Sequence, residues 1–331
     1  MSDTILITGQ SLAAEAVDLI QTAGLTPAYV PPYSTGEALI AAVRDSNPVG
    51  IISRMGRVDT QVLEAAPRLR VISKHGVGVD NIDLKAAGAR GIPVLVATGA
   101  NAVAVAEHTM ALLFAVVKKI PTLDAGLRAG RWEKPGFDGR ELAGSSIGLV
   151  GFGAIARQTA RFAKAFALDV FAYDPFCPDQ FFAEEGVTRV ADVDDLIASC
   201  DIISLHTPLT DQTRNLINAD RLARMKPGAI IINTARGGLI DEAALSAALA
   251  EGRIAGAGLD SFAQEPPAHD HPFWAEPRLV LTPHIGGVTA ASNARVGVQA
   301  AQGILDLLAG RDIPASRIVN RDLLVPPAIS A

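Results

Sequence analysis

Two closely spaced glycines near the middle of the chain constrain the fold more than any other feature. In "SSIGLVGFGAIARQTARFAKAF", which starts at residue 145, they follow an apolar β-type run and precede a helical pattern. The first glycine of such a loop permits a tight turn, and the second lets the backbone approach a pyrophosphate at the helix N-terminus. Ala156 occupies the third position of the usual pattern, where a methyl group still allows helix and strand to pack closely. We therefore predict a dinucleotide loop formed by Gly151, Gly153, Ala154 and Ile155.

An acidic residue ends the next β-type run. Asp174, in "FAYDP", comes 21 residues after Gly153, since 174 − 153 = 21. A carboxylate at this place accepts hydrogen bonds from a ribose hydroxyl and repels a 2′-phosphate, so NAD is favoured over NADP. A methyltransferase that binds S-adenosylmethionine is the main alternative for the same loop.

The alternation of β-type runs with helical patterns predicts two α/β units. The chain has 331 residues, more than one domain usually contains. The runs "ILIT" (5–8), "VGIIS" (49–53), "RVISK" (70–74) and "PVLVA" (93–97) come first, and "NAVAVAEHTMALLFAVVKKI" (101–120) predicts a long helix that Pro121 stops. Six further runs from residue 147 predict a doubly wound parallel sheet, and residues 289–310 predict a last helix.

Charge and cysteine content exclude several classes of protein. The formal net charge is −6 and no block of like charges occurs, which argues against nucleic acid as a partner. The chain has two cysteines, Cys177 and Cys200, without metal-ligand spacing, which is typical of a protein in a reducing cytoplasm. The most apolar stretch, "MALLFAVV", is too short to span a bilayer and the first residues lack a signal pattern, so we expect neither membrane insertion nor secretion.

Three polar residues follow the last strands of the predicted central sheet. Arg236 follows "AIIINTA", Glu265 follows "GLDSFAQ" and His284 follows "LVLTP". Ligands of open α/β sheets bind beyond the carboxyl ends of the strands, where these side chains would meet. The guanidinium can bind a carboxylate through two hydrogen bonds, the imidazole can exchange a proton, and the glutamate can stabilise the charged imidazole. The alternatives are a strand cap, a solvated turn and a structural histidine.

The other histidines are weaker candidates. His206, in "SLHTPL", ends a strand on the nucleotide side and can line an adenine pocket, whereas His108 lies within the long predicted helix. His269 and His271 belong to the polar segment "PPAHDHP", whose spacing is poor for a metal site. We therefore expect no bound metal.

These motifs together resemble the D-isomer specific 2-hydroxyacid dehydrogenase family. The resemblance covers roughly residues 5 to 315 and includes "KHGVGVDNIDLKAAGARGIPV", "NAVAVAEHTMALL", the glycine loop, "NTARGGLIDEAALSAALAEGRIAGAGLDSF", "EPP" and "LTPHIGG". It implies an NAD-binding Rossmann domain, residues 101–288, inserted into a flavodoxin-like substrate domain built from residues 1–100 and 289–331. It also implies a homodimer joined through the NAD-binding domains.

The resemblance assigns roles to individual residues. Arg236 would bind the substrate carboxylate and carbonyl, His284 would be the general acid/base, and Glu265 would be its partner. Asp260 would orient the nicotinamide amide. The implied cofactor set further comprises Gly151, Gly153, Ala154, Ile155, Asp174, His206, Thr207, Pro208, Thr234, Ala235 and Gly286. The implied substrate set comprises Arg54, Lys74, His75, Gly76, Val77 and Gly78.

The activity implied is the NAD-dependent interconversion of a D-2-hydroxy acid and its 2-oxo acid by hydride transfer (EC 1.1.1.-). The upstream segments resemble the phosphoglycerate dehydrogenase and hydroxypyruvate reductase branches, which makes 3-phosphoglycerate, hydroxypyruvate and glyoxylate the candidate substrates. Arg54, Arg57, Lys74 and His75 can pair with a distal phosphate, or the two arginines are ordinary surface cations. The alternative function is that of an NAD(H)-sensing corepressor of the same fold.

Overall fold

The computed structural model describes residues 3–34 and 36–325. The chain divides into two compact units, Met1–Asn101 with Thr289–Ala331, and Ala102–Val288. Each unit is built on a parallel sheet with helices, so the predicted α/β fold class is confirmed. Among the described residues, no helix has the length and apolar character needed to cross a membrane.

The first unit is a five-stranded parallel sheet with the strand order β2-β1-β3-β4-β5. This order is that of flavodoxin-like domains. Strands and helices are numbered along the chain. Its strands are β1 (Thr4–Thr8), β2 (Thr26–Val30), β3 (Gly50–Ser53), β4 (Val71–Lys74) and β5 (Val94–Val96). Its helices are α1 (Ala14–Thr22), α2 (Gly36–Ser46), α3 (Thr60–Glu64), α4 (Leu84–Ala89) and α12 (Ala290–Leu308).

Helices cover both faces of the first sheet, as a parallel sheet requires. All four residues of β3 are buried, and the apolar residues of the sheet contribute to two separate clusters. One cluster is packed under α2, α3 and α4, and the other under α1 and α12. Asp59, Asp83 and Thr289 each accept a hydrogen bond from a backbone N–H in the first turn of α3, α4 and α12, which fixes where these helices begin.

The second unit is a seven-stranded parallel sheet with the strand order β12-β11-β10-β9-β6-β7-β8. The order reverses between β6 and β9, which is the place where doubly wound sheets bind dinucleotides. Its strands are β6 (Ser146–Val150), β7 (Asp169–Tyr173), β8 (Thr188–Arg189), β9 (Ile202–Leu205), β10 (Ala229–Asn233), β11 (Ile254–Leu259) and β12 (Leu279–Leu281). Its helices are α5 (Ala102–Val117), α6 (Ile120–Arg128), α7 (Ala154–Ala165), α8 (Asp179–Glu184), α9 (Val193–Ser199), α10 (Ala219–Arg224) and α11 (Glu242–Ala250).

Central strands of the second sheet are apolar on both sides. Every residue of β10 is buried, and its isoleucines contribute to one core cluster on each face. Helix α5 packs on β10, β11 and β12. His108, in the first half of the helix, lies beside Thr282 and Asp260, which follow the carboxyl ends of β12 and β11.

The prediction for residues 101–120 was partly wrong. Helix α5 ends at Val117, and Lys119 adopts a left-handed conformation with φ 52°. Pro121 then lies in the first turn of α6, where its missing N–H costs nothing, so it begins a helix rather than stopping one. The strands β2 and β8 were missed because β2 contains Pro27 and lies at a sheet edge, and β8 has two residues.

Candidate active site

The glycine loop after β6 has the geometry that its sequence predicts. Gly151 has φ 90°, and a Cβ there would lie 2.8 Å from the backbone of His206, so only glycine fits. A Cβ at Gly153 would meet no atom within 4 Å. Because α7 begins at Ala154, this open space lies beside the first amides of a helix. Ala156 is fully buried, as its packing role requires.

Asp174 connects the end of β7 to the glycine loop. Its Oδ2 accepts a hydrogen bond of 2.8 Å from the backbone N–H of Phe152. Its Oδ1 accepts hydrogen bonds from the backbone N–H groups of Phe176, at 2.9 Å, and Cys177, at 3.1 Å. Three amide donors hold this carboxylate at the end of the strand, at the edge where the ribose of a dinucleotide would lie.

His206 directly follows β9 and has a neutral side chain. Its Nε2 lies 2.9 Å from Oγ of Ser204, and burial lowers the pKa of His206 to about 4. An imidazole with this pKa is uncharged at neutral pH, which suits a wall of an adenine pocket and does not suit proton transfer. The next residues, Thr207 and Pro208, continue the same loop, and Thr213 donates a hydrogen bond to the carbonyl of Pro208.

The turn after β10 is shaped by Asn233, which is buried. Its Nδ2 donates to the carbonyl of Arg236 at 2.8 Å, and its Oδ1 accepts from the backbone N–H of Ala235 at 3.0 Å. Nη1 of Arg236 donates to the carbonyl of Ala235 at 2.7 Å. The hydroxyl of Thr234 lies 2.9 Å from that of Thr109 on α5. These bonds fix the backbone that carries Arg236. The role of Asn233 was not predicted from the sequence.

Glu265 and His284 are in direct contact. Nδ1 of His284 lies 2.7 Å from Oε2 of Glu265, and the other carboxylate oxygen accepts from the backbone N–H of Phe262 at 3.1 Å. Burial raises the pKa of Glu265, but the hydrogen bond and charge of His284, the Phe262 amide and the charge of Arg236 outweigh it and leave that pKa below its usual value. An ionised carboxylate only accepts hydrogen bonds, so Nδ1 carries a hydrogen and Nε2 is the nitrogen that can take a proton.

The backbone at His284 is unusual. Its φ is 55°, a backbone conformation that residues other than glycine rarely adopt. Asp260, which is 2% exposed, accepts hydrogen bonds from the next two backbone N–H groups, those of Ile285 at 2.9 Å and Gly286 at 2.7 Å. Asp260 therefore holds the loop on which His284 lies.

Glu242 and His271 brace the loop that leads to Glu265. Glu242 accepts a hydrogen bond from the backbone N–H of Ala263 at 2.9 Å, and its second oxygen lies 3.2 Å from Nε2 of His271. Nδ1 of His271 accepts from the backbone N–H of Phe273 at 3.3 Å. Both ring nitrogens are thus used in holding the loop. Among the residues that the structure describes, no group of three or more His, Cys, Asp or Glu side chains is arranged to hold a metal ion.

The predicted substrate set lies at the carboxyl ends of β3 and β4 in the first unit. The backbone N–H of Arg54 donates to Thr8 Oγ1 at 2.9 Å, and its guanidinium donates to the carbonyl of Ser11. Lys74 donates to the carbonyl of Arg54 at 3.1 Å and to Asn81 Oδ1 at 2.8 Å. The contact between Asn81 and Lys74 was not predicted from the sequence. Arg57, the fourth candidate cation, is exposed.

The segment after β4 turns on glycine. Gly76 has φ 135°, a conformation that any other residue could adopt only with strain. Val77 and Gly78 follow it. Within residues 3–34 and 36–325, no acceptor is found for the backbone N–H groups of Val77 and Gly78. Burial, and then the charge of Arg54, lower the pKa of His75 to about 4, so this side chain is neutral at physiological pH.

The structure gathers the predicted residues within each unit. In the second unit, the glycine loop, Asp174, His206, the Thr234–Arg236 turn, Asp260, Glu265 and the His284–Gly286 loop all follow the carboxyl ends of parallel strands and so share one edge of the sheet. In the first unit, Arg54 and Lys74–Gly78 share the corresponding edge.

Comparison with known proteins decides the family. Residues 110–286 match the model of the NAD binding domain of D-isomer specific 2-hydroxyacid dehydrogenases. The chain belongs to the D-isomer specific 2-hydroxyacid dehydrogenase family. The resemblance seen in the sequence is thereby confirmed, and the matched residues lie within the second unit.

Named relatives come from two branches of the family. A D-3-phosphoglycerate dehydrogenase of Archaeoglobus fulgidus is 37% identical over 321 residues, which are 97% of this chain and 60% of the relative. A hydroxypyruvate reductase of Thermotoga maritima is 41% identical over 256 residues, which are 77% of this chain and 82% of the relative. A solved structure of a Thermus thermophilus protein has a TM-score of 0.85 and 36% identity, and covers 96% of this chain and 99% of its own.

The phosphoglycerate dehydrogenase relatives are much longer than the part that this chain matches. The chain spans 60%, 52% and 59% of three of them, from Archaeoglobus fulgidus, Mycobacterium bovis and Methanocaldococcus jannaschii.

Proposed function

We propose that this family member is an NAD-dependent oxidoreductase that interconverts a D-2-hydroxy acid and its 2-oxo acid by hydride transfer. The observation that carries the proposal is the 2.7 Å contact between Nδ1 of His284 and Oε2 of Glu265, in a site where the charge of Arg236 acts on the same carboxylate. A general base, its acidic partner and a guanidinium follow strands of the sheet whose glycine loop fits a dinucleotide. This set of groups matches what the oxidation of a hydroxy acid needs.

The residues present fit a bound dinucleotide. The space at Gly153 admits a pyrophosphate beside the first amides of α7, and the neutral His206 offers an uncharged wall. When bound, NAD supplies the acceptor for the hydride from C2 of the hydroxy acid. The carboxylate of Asp174 supports NAD over NADP because a 2′-phosphate would be repelled there.

His284 performs the proton transfer in this mechanism. Its Nε2 takes the hydroxyl proton as the hydride leaves C2, and in the reverse direction the protonated ring returns that proton to the carbonyl oxygen. Glu265 stabilises the imidazolium that forms, and it keeps the ring in the tautomer that has a basic Nε2. Arg236 binds the substrate carboxylate and polarises the carbonyl group. We assign Asp260 and Gly286 to cofactor binding. Asp260 accepts a hydrogen bond from the backbone N–H of Gly286.

We assign substrate binding to the first unit, residues 1–100 with 289–331, and cofactor binding to residues 101–288. The amides of Val77 and Gly78, exposed by the turn at Gly76, are suited to a carboxylate. Arg54 and Lys74 line the same strand edge and supply positive charge for a second polar group of the substrate, and the neutral imidazole of His75 beside them can offer a hydrogen bond. The names of the relatives support 3-phosphoglycerate, hydroxypyruvate and glyoxylate as candidates.

NADH consumption tests the proposal. The purified protein is assayed with 3-phosphohydroxypyruvate, hydroxypyruvate, glyoxylate and phenylpyruvate, each with NADH and with NADPH. We expect turnover of at least one acid with NADH, and a loss of about 100- to 10,000-fold in kcat for His284→Gln with NADH binding retained. Tight NADH binding without turnover of any acid would overturn the proposal and favour the NAD(H)-sensing corepressor.

We also propose a cytoplasmic homodimer. Apolar side chains are exposed on α6 and the segment after it, including Trp132 at 72% exposure. The others are Ile120, Leu127 and Phe137. Exposed apolar patches commonly mark protein–protein interfaces, and a second copy of the chain that covers this patch would remove it from water. Both cysteines are free, which suits a reducing compartment. Light scattering of the wild type and of Trp132→Ser should give a dimer and a weakened dimer, and a wild-type monomer would contradict this proposal.

A further inference from the structure

His108, near the middle of α5, lies beside the loop that carries His284. Its Nε2 is 2.9 Å from Oγ1 of Thr282 and 3.4 Å from Oδ1 of Asp260. Its side chain is largely buried, at 19% exposure. The histidine and the threonine are separated by 174 residues in sequence, so the fold alone brings them together.

The direction of the hydrogen bonds can be worked out from the chemistry of the three groups. Thr282 donates its hydroxyl hydrogen to Oδ1 of Asp260 at 2.6 Å. A threonine has one hydroxyl hydrogen, so its oxygen can only accept from His108, whose Nε2 must therefore carry a hydrogen. Burial raises the pKa of Asp260, but hydrogen bonds from His108, Thr282, Ile285 and Gly286 outweigh it and leave the pKa lowered. The result is a chain of donors that runs from His108 through Thr282 to an ionised carboxylate.

Asp260 in turn holds the backbone next to His284. It accepts from the N–H groups of Ile285 and Gly286, directly after the residue with φ 55°. Asp260 and His108 pack closely around Gly286, because a Cβ there would lie 2.9 Å from Oδ2 of Asp260 and 3.4 Å from Cδ2 of His108. A left-handed conformation at a histidine persists only where its surroundings hold it.

We propose that His108 is a positioning residue for the general base: its Nε2–H orients Thr282 and, through it, the Asp260 carboxylate that holds the His284 loop. The inference deepens the proposed function and depends on it for the role of His284. His108 itself touches neither of the groups assigned to proton transfer in the described structure. Replacing it should therefore change turnover more than the binding of NADH or of the oxo acid.

A matched pair of variants tests this role. His108→Leu removes the donor and leaves apolar atoms against a buried carboxylate, whereas His108→Gln can still donate from its terminal amide. We expect kcat to fall about 10- to 100-fold in the leucine variant and KM for NADH to change by much less, since small displacements of a catalytic group are costly. The glutamine variant should recover most of the loss. A leucine variant with wild-type kcat, or a glutamine variant as poor as the leucine one, would overturn the proposal.

Thr282→Val gives an independent route to the same conclusion. It keeps His108 in place and breaks the chain at its middle, so it should reproduce the loss in kcat even if His108→Leu folds poorly. In the double variant with His108→Leu the losses should not add, because both changes break one chain. Additive losses would show that the two residues act separately.

Hydrogen exchange separates this inference from the proposed function. In peptides that cover residues 281–287, the amides of Ile285 and Gly286 should exchange about tenfold faster in His108→Leu than in the wild type and His108→Gln, because a broken chain lets the loop open. Faster exchange in a protein that turns over no oxo acid would sink the proposed function and leave the structural link intact. Unchanged exchange with normal turnover would sink the link alone.

Discussion

Nδ1 of His284 and Oε2 of Glu265 meet at 2.7 Å although they come from loops that follow different strands, β12 and β11. The backbone of each residue is held separately. Asp260 holds the amides after His284, while Glu242 holds the amide of Ala263 before Glu265. The distance between the base and its partner is thus set by two buried or half-buried carboxylates that take no part in the proposed proton transfer, a form of preorganisation that favours catalysis.

Removing the charge of Glu265 should slow the chemistry without weakening cofactor binding. In Glu265→Gln we expect kcat for hydroxy-acid oxidation to fall about 100-fold, because the imidazolium formed on His284 loses its ionic partner. Steady-state kinetics in the oxidation direction, with NADH affinity measured by fluorescence, check this. Glu276→Gln is the control, since Glu276 pairs with Arg278 away from these loops and should keep wild-type kcat. Equal kcat values for both variants would refute the assignment.

The two glycines of the nucleotide loop should respond differently to alanine. Gly151→Ala forces a Cβ to within 2.8 Å of the His206 backbone at φ 90°, so we expect a stability loss of about 2–4 kcal/mol. Gly153→Ala meets no protein atom within 4 Å, so the fold should be unaffected while the added methyl group obstructs the pyrophosphate. Thermal unfolding and NADH titration of both variants separate the effects. Tight NADH binding by a stable Gly153→Ala protein would show that the dinucleotide lies elsewhere.

Burial of neutral His206 makes stability depend on pH. Its pKa is about 4 in the folded protein, and an unfolded histidine titrates near 6.5. Between these pH values the unfolded chain binds more protons than the folded protein. The free energy of unfolding is therefore unaffected by this histidine above about pH 6.5, and it falls as the pH decreases toward 4. At about pH 5 the free energy of unfolding of the wild type should have fallen by about 1–2 kcal/mol more than that of His206→Gln.

Unfolding midpoints measured at neutral pH and near pH 5 check this prediction. The difference between wild type and His206→Gln should shift in favour of the variant at the lower pH. His269→Gln, which changes an exposed histidine, should leave the wild-type pH dependence in place. A constant difference between wild type and His206→Gln would mean that His206 is not held neutral.

Most strands were predictable because the buried runs are rich in isoleucine, valine and leucine and are bounded by helical patterns. β10, "AIIIN", is buried at every position and can only be a central strand of a covered sheet. β2, "TPAYV", has a proline and exposed residues, and its place in the sheet comes from pairing with β1. Its local pattern could not reveal it.

The candidate site was predicted only in part. Arg236, Glu265 and His284 were chosen as candidates because a parallel arrangement brings strand ends to one edge, and Glu265 and His284 are in contact in the structure. His108 and Asn233 were missed for a different reason. A histidine inside a helix and an asparagine at a strand end have no distinctive local pattern, and their roles depend on side-chain contacts formed only in the fold. The break at Lys119 was missed because a left-handed lysine leaves no mark in the sequence.

Asp174 should decide the choice between the two dinucleotides. Its carboxylate binds the amides of Phe152, Phe176 and Cys177, so Asp174→Asn would turn an amide N–H₂ toward backbone donors and also remove the charge that repels a 2′-phosphate. We expect the Kd for NADH to rise about tenfold and the Kd for NADPH to fall relative to it. Fluorescence titration with both cofactors measures the ratio. Asp179→Asn is the control, because Asp179 is an exposed carboxylate that pairs with Arg189. A preference for NADH that survives in Asp174→Asn would mean that other groups exclude the 2′-phosphate.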